Sequence, residues 1–367
     1  MRRSGQVLRN LVLIGASMLF AVLCGEVALR LFLPQIFDVH PRGMYIEDPD
    51  VGYRLTPNFS GVINRSEFSQ RFRINGAGLR AHRHPGTDEQ DTVRVLVLGD
   101  SQAFGFGVAD DETFSAQLEH IFADHHPSRS VRVMNGGVPG YGTADQLALL
   151  KSMGPKLDPD LIVVQFLSVN DILETLNPAK NRAAVADGWL TTKAASAPEP
   201  QPETDGDGYG GLVRLIFWAK RRSHLLNLTS NGLGYAALRL GLTAEVDALW
   251  GEDFSADAAA ATTDSLIAIA AEARRLGAQC VFLYTTGQNY VLNEDYALPQ
   301  SALVVRQAAE SAKVPWIDVT PYLRGRDDRF EQFNRLDGHW TATGHRAIAE
   351  LLAERLTALS LLPFHAR

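Results

Sequence analysis

The sequence predicts an α/β protein: a three-layer, doubly wound parallel sheet with an N-terminal transmembrane helix. Three observations predict it. Short, mostly apolar runs recur at residues 93–98, 131–134, 161–167, 280–284 and 314–319, the pattern of strands buried on both faces of a parallel sheet. Helically spaced apolar segments alternate with them, and such units wind by right-handed crossovers into a sheet covered on both sides. Ahead of all of them stands one long apolar stretch preceded by arginines.

That stretch comes first in the chain. Arg2, Arg3 and Arg9 precede a nearly uninterrupted apolar run over 11–25. The run has the length of a secretory signal, but counted on to Leu33 it makes a helix of about 23 residues, enough to cross a bilayer core of about 30 Å. A cleaved signal and an uncleaved anchor both begin this way, and the anchor accounts for the whole segment. Ala21, Val22 and Leu23 offer no small-x-small cleavage site before Cys24. Glu26 and Arg30 stand four apart and so share one helix face, where they can pair. The arginines predict a cytoplasmic N-terminus, a single pass through the cell membrane, and everything after Pro34 on the far side. Membrane lipid is then this helix's partner.

Composition narrows the rest. With 46% hydrophobic and 21% charged residues the chain is a folded globular protein. Thirty-five basic residues against 42 acidic ones, net charge -7, give no basic signal for nucleic acid, and none is expected as a partner. Two cysteines, Cys24 and Cys280, supply no disulfide framework, thiolate-rich zinc site or CxxC pair. The chain divides into an anchor over 1–34, a lead-in over 35–90 and one α/β domain over 91–362.

In the lead-in, Gly52, Pro57, Gly61 and Gly76 predict irregular or short-stranded structure. After the first strand, Phe114, Leu118, Ile121 and Phe122 recur at helical spacing, as do Leu147, Leu150, Met153 and Leu157 after the second. An insertion over about 172–256 follows the third strand, and no sheet strand is expected in it. Its 194–211 segment is dense in Ala, Pro, Glu, Asp and Gly and reads as a loop. Short apolar helices are expected over 213–219, with Trp218, and over 225–242; they form either a cap beside the active face or an exposed insertion. An alanine-rich helix over 258–276 and a final helix over 342–361 complete the set.

The chemistry gathers where strands end. Ser101 follows Gly99 and Asp100 just past the first strand, where a hydroxyl caps a helix or, given a base, serves as a nucleophile. Gly105 and Gly107 do not complete a G-x-G-x-x-G dinucleotide signature. Asn135-Gly136-Gly137-Val138-Pro139-Gly140-Tyr141 follows the second strand, Ser168-Val169-Asn170-Asp171 the third, and Asp337-Gly338-His339-Trp340 precedes the last helix. In a doubly wound sheet all four segments emerge at one edge. His339 would take the proton of Ser101 while Asp337 orients the imidazole. The N–H groups of Ser101 and Gly140 and the amide of Asn170 would meet an oxyanion, each donor worth about 2.7–4 kcal/mol of barrier. His339 and His345 lack a third ligand, so no metal or other cofactor is expected, and His345 is expected to pack or cap the last helix.

These four blocks resemble those of the SGNH (GDSL) hydrolases. The resemblance covers about residues 45–360, including Gly52-Tyr53, Asn75 and Gly78-Leu79-Arg80 of the lead-in. It implies a flavodoxin-like sheet, Ser101 as nucleophile, Asp337 and His339 as its triad partners, and Ser101, Gly140 and Asn170 as the oxyanion hole. Two positions depart from the pattern: Ser168 stands where glycine is usual, and only Gly338 separates Asp337 from His339. The Asp-x-His-Trp form is similar to that of the alginate O-acetylation proteins. The resemblance therefore implies a membrane-anchored serine esterase or acylhydrolase acting on O-acyl groups of envelope carbohydrate or lipid. An O-acyltransferase would use the same acyl-enzyme, and a non-catalytic polysaccharide-binding or assembly factor would use the same fold.

Overall fold

The computed structural model describes residues 2–33, 41–65, 67–82, 92–186, 188–192, 223–239, 254–293 and 299–362. The chain forms two compact units. The smaller comprises Met1–Val39, Asn64–Ser66 and Glu199–Thr243, and the larger holds the rest.

In the smaller unit the helix Arg2–Phe32 contains a 21-residue segment, Val12–Phe32, with a mean hydropathy of 2.2, long and apolar enough to cross a membrane. Its Glu26 pairs with Arg30 at 2.8 Å. The same carboxylate caps a second helix, His224–Arg239: it accepts the Ser223 hydroxyl at 2.8 Å and the N–H groups of His224 and Leu225 at 3.0 and 2.9 Å. A charge in an apolar helix is costly unless paired; here it satisfies amides that every helix start leaves open.

The larger unit begins with two antiparallel pairs, β1 (Tyr45–Asp48) with β2 (Gly52–Leu55), and β3 (Ser60–Asn64) with β4 (Ser69–Arg73). Five parallel strands make the main sheet: β5 (Val93–Gly99), β6 (Val131–Gly137), β7 (Leu161–Leu167), and, past a small β8–β9 hairpin (Ala183–Ala186, Trp189–Thr192), β10 (Gln279–Thr285) and β11 (Trp316–Asp318). Their spatial order, β6-β5-β7-β10-β11, is the 2-1-3-4-5 order of doubly wound sheets, with its reversal beside β5.

Alternation along each strand feeds two cores. Leu96, Leu98, Ile162, Val164 and Phe282 pack under the helices Thr143–Leu157, Ala256–Arg275 and Gln300–Ala312. Val95, Val97, Val133, Val163 and Val281 pack under Phe114–His125 and Ala342–Ala358. This is the three-layer arrangement the sequence predicts, and all five expected strand sites carry strands. Expected over 314–319, the last strand is shorter, because Val314 still donates to Ala309 at the end of the preceding helix.

Two findings correct the sequence reading. The stretch read as free of strands holds the β8–β9 hairpin, although among the described residues it pairs only with itself and does not extend the main sheet. The helix Gln300–Ala312 was not anticipated at all. Of the predicted insertion, the 194–211 loop and the 213–219 helix with Trp218 lie outside the described residues; the helix expected over 225–242 is described as far as Arg239.

The lead-in is tied to the sheet by Arg80, which is 2% exposed. Its backbone N–H donates to Asn135 of β6 at 3.1 Å. Its guanidinium donates to Asp110 at 3.0 Å and to the carbonyls of Val108 and Gly105 at 2.8 and 3.4 Å, over the ring of Phe104. Burial lowers its pKa to about 10, against the pull of Asp110. Removing one partner of a buried ion pair strands the other groups without solvent. Arg80→Met should therefore cost about 3 kcal/mol in urea unfolding of the full chain; a loss below about 1 kcal/mol would show that Arg73, which also binds Asp110, suffices.

Candidate active site

At the end of β5 the chain turns sharply. Asp100, fully buried, accepts the N–H of Gln102 at 2.9 Å and so starts the short helix Ser101–Phe104. This presents the Ser101 hydroxyl at the carboxyl edge of the central strand, 2.8 Å from Nε2 of His339. Nδ1 of His339 pairs closely with the Asp337 carboxylate. The one-residue spacer permits this because Gly338 sits at φ +82°, a left-handed conformation that a side chain would strain. The loop closes on itself: the N–H of Asn334 donates to the carbonyl of His339 at 2.8 Å, and that of Gly338 to Asn334 at 2.7 Å.

Gln102 holds the same loop from the nucleophile's side. Its amide donates to the carbonyl of Gly338 at 3.3 Å and accepts the N–H of Trp340 at 3.1 Å, bracketing His339. Beneath the imidazole lies the Phe106 ring, with centroids 4.8 Å apart. Trp340 is fully buried against Phe114 and His345. His345 is buried in the last helix, where its Nδ1 accepts the N–H of Phe114 at 3.1 Å. Burial depresses its pKa to about 3, so it is a neutral acceptor.

The other predicted residues arrive on the neighbouring strands. Gly140 lies three residues past β6 and Asn170 three past β7, the two strands that flank β5. Gly140 takes φ +79°, and a Cβ there would lie 2.9 Å from the Tyr53 hydroxyl. That hydroxyl donates to the Pro139 carbonyl at 2.8 Å. In a trans peptide the carbonyl and the next N–H point in opposite directions. Tyr53 therefore turns the Gly140 N–H away from itself, while Arg182 binds the Gly140 carbonyl. Among the described residues neither the Ser101 nor the Gly140 N–H donates to a protein acceptor. Ser101, Gly140, Asn170 and His339 are each half-buried, open to a ligand.

Carboxyls crowd the floor. Asp100 and Asp171 are both fully buried, and burial pushes both pKa values up, helped at Asp171 by the charge of Asp100. Asn170 opposes burial at Asp100 and Glu174, favouring their charged forms. Burial raises Glu174 to about 7 and Asp145 to about 6, with Arg182 opposing in both cases. Among the described residues no group of three or more His, Cys, Asp or Glu side chains is placed to hold a metal ion.

Sequence reasoning missed Gln102, Arg182 and Glu174 as parts of this site. A hydroxyl paired to an imidazole paired to a carboxylate can carry nucleophilic acyl chemistry, and three donors at adjacent strand ends can meet a developing oxyanion.

Comparison with known proteins gives the family. The model of the GDSL-like lipase/acylhydrolase family matches residues 97–347. An arylesterase of Vibrio mimicus is 30% identical over 89 residues, 24% of this chain and 43% of that protein, so the match spans less than half the length of this curated relative. Among solved structures, TesA is 18% identical with a TM-score of 0.42, covering 72% of this chain and 99% of its own. An acetylxylan esterase from Geobacillus stearothermophilus is 14% identical with a TM-score of 0.41, covering 78% of this chain and all of its own.

The raised carboxyl of Glu174 makes a pH prediction. Between about pH 4.5 and 7 the unfolded chain has lost this proton and the folded one keeps it, so folding stability falls as pH rises through that window. Denaturant unfolding at pH 5 and pH 8 should show a smaller difference for Glu174→Gln than for the wild type. An equal difference in both would mean that Glu174 is ionised throughout.

Proposed function

Since the chain belongs to the GDSL-like lipase/acylhydrolase family, we propose that it hydrolyses carboxylic esters through Ser101, anchored in a membrane by its first helix. The observation that carries this reading is the 2.8 Å contact of the Ser101 hydroxyl with His339, whose far nitrogen pairs with Asp337.

As Oγ of Ser101 bonds to the ester carbonyl carbon, Nε2 of His339 accepts its proton, and Asp337 steadies the imidazolium from Nδ1. The carbonyl oxygen becomes an oxyanion and is met by the N–H groups of Ser101 and Gly140 and the amide of Asn170. The bond to the leaving oxygen then breaks, His339 returns the proton to the departing alcohol, and an acyl-Ser101 ester remains. Water, deprotonated by His339, releases the acid and restores the serine. A sugar hydroxyl in place of that water would turn hydrolysis into acyl transfer with no change of residues.

For substrate we propose O-acyl groups on envelope carbohydrate or lipid. Ser101, Gly140, Asn170 and His339 are half-buried, so an ester could reach them from solvent. The Asp337-Gly338-His339-Trp340 block is similar to that of the alginate O-acetylation proteins. The apolar helix with its leading arginines would hold the domain on the outer face of the cell membrane, where such esters occur.

The full chain, purified in detergent, should hydrolyse 4-nitrophenyl acetate. Ser101→Ala and His339→Ala should each lower kcat by roughly 10³-fold or more, and Asn170→Ala by roughly 10²–10³-fold. Rates equal to the wild type in the first two would sink the esterase reading. Protease added to intact cells should degrade the part after Pro34; protection would overturn the outward orientation.

A further inference from the structure

Glu67 belongs to the lead-in, outside the residues that match the family, yet its side chain reaches the loop that carries Asp337 and His339. Its Oε1 accepts the N–H of Arg335 at 2.8 Å, and its Oε2 accepts those of Leu336 and Asp337 at 2.7 and 2.8 Å. Three successive amides converge on one carboxylate, an arrangement that binds an anion tightly. The carbonyl side of the loop is also held, since the Gln288 amide donates to Arg335 at 3.1 Å. The next residue acts on the same target from below: Phe68 packs edge-on to Phe106, and Phe106 lies under the His339 ring.

We propose that Glu67 is a positioning residue for the Asp337–His339 pair: its carboxylate replaces water as the acceptor for the loop's amides and holds Asp337 in line with Nδ1. The loop needs this because its residues 335–339 are all half-buried and its tight spacing hangs on Gly338. Released from Glu67, three N–H groups would seek water and carry Asp337 with them. A displacement of about 1 Å at a catalytic group can cost on the order of 10²-fold in rate. The catalytic meaning of this placement rests on the esterase reading; the clamp itself does not.

The test compares the full chain with Glu67→Gln and Glu67→Asp. Glutamine keeps one acceptor oxygen and turns N–H donors toward N–H donors; aspartate keeps both oxygens on a shorter stem. With 4-nitrophenyl acetate, Glu67→Gln should lower kcat about 10- to 100-fold with KM within about twofold, and Glu67→Asp should recover part of that loss. In hydrogen exchange, the amides of Arg335, Leu336 and Asp337 should exchange at least about tenfold faster in Glu67→Gln, with β5 and β7 unchanged. Unchanged exchange at the three amides, or an unchanged kcat in an active enzyme, overturns the proposal. Were the wild type itself inactive on esters, the esterase reading would fail while the exchange result still decides the clamp. If Glu67→Gln does not fold, Glu67→Asp is judged on the same two measurements.

Discussion

A strand buried on both faces has little room for a polar side chain that must meet a ligand, so its chemistry waits until the strand ends. β5 is such a strand: from Val95 to Gly99 every residue is buried, and the first polar groups after it are Asp100 and Ser101. It lies between β6 and β7, at the point where the winding order reverses, so the loops on either side open away from each other and leave a crevice. Everything else at the site takes its position from that edge. The Gly140 peptide leaves one neighbour, Asn170 the other, and the Asp337–His339 loop is brought over the top by the Gln102 side chain one residue beyond Ser101.

Around this edge the protein keeps several carboxyls out of water. Asp100 is retained because it starts the turn that presents Ser101, and Asp171 because it accepts the N–H of Leu167 where β7 ends. Two such groups near one another cannot both ionise cheaply, and burial drives each toward its neutral form. Arg182 balances the outer pair, Asp145 and Glu174, while holding the Gly140 carbonyl. The same cation thus sets a charge balance and a backbone orientation.

Much of this was legible in the sequence, and the reason is local. Five strands announce themselves because burial on both faces demands mostly apolar runs. Ser101, Gly140 and Asn170 stand in short blocks next to those runs and Asp337 and His339 in one just before the last helix, and the structure brings Ser101 and Asp337 to the two nitrogens of His339. The helix Gln300–Ala312 was hidden because its buried face is mostly small, with Ala302, Ala308, Ala309 and Ala312 in place of large apolar residues. The supporting residues were hidden for a different reason. Tyr53 reaches Pro139 across 86 positions and Glu67 reaches the Asp337 loop across 268 to 270. Gly52-Tyr53 belongs to the stretch that carries the resemblance, yet neither its partner nor that of a lone Glu67 can be read until the fold brings the two together.

The Glu26 cap gives the first helix an identity beyond length and greasiness. Its carboxylate meets Ser223, His224 and Leu225 only at one depth and one rotation of the helix. Sliding the helix by a single residue would swing Glu26 by about 100° and leave the second helix uncapped. The segment is keyed as a bolt is to its lock. Exchanging it for another apolar helix of equal length would keep the hydropathy and lose the registration.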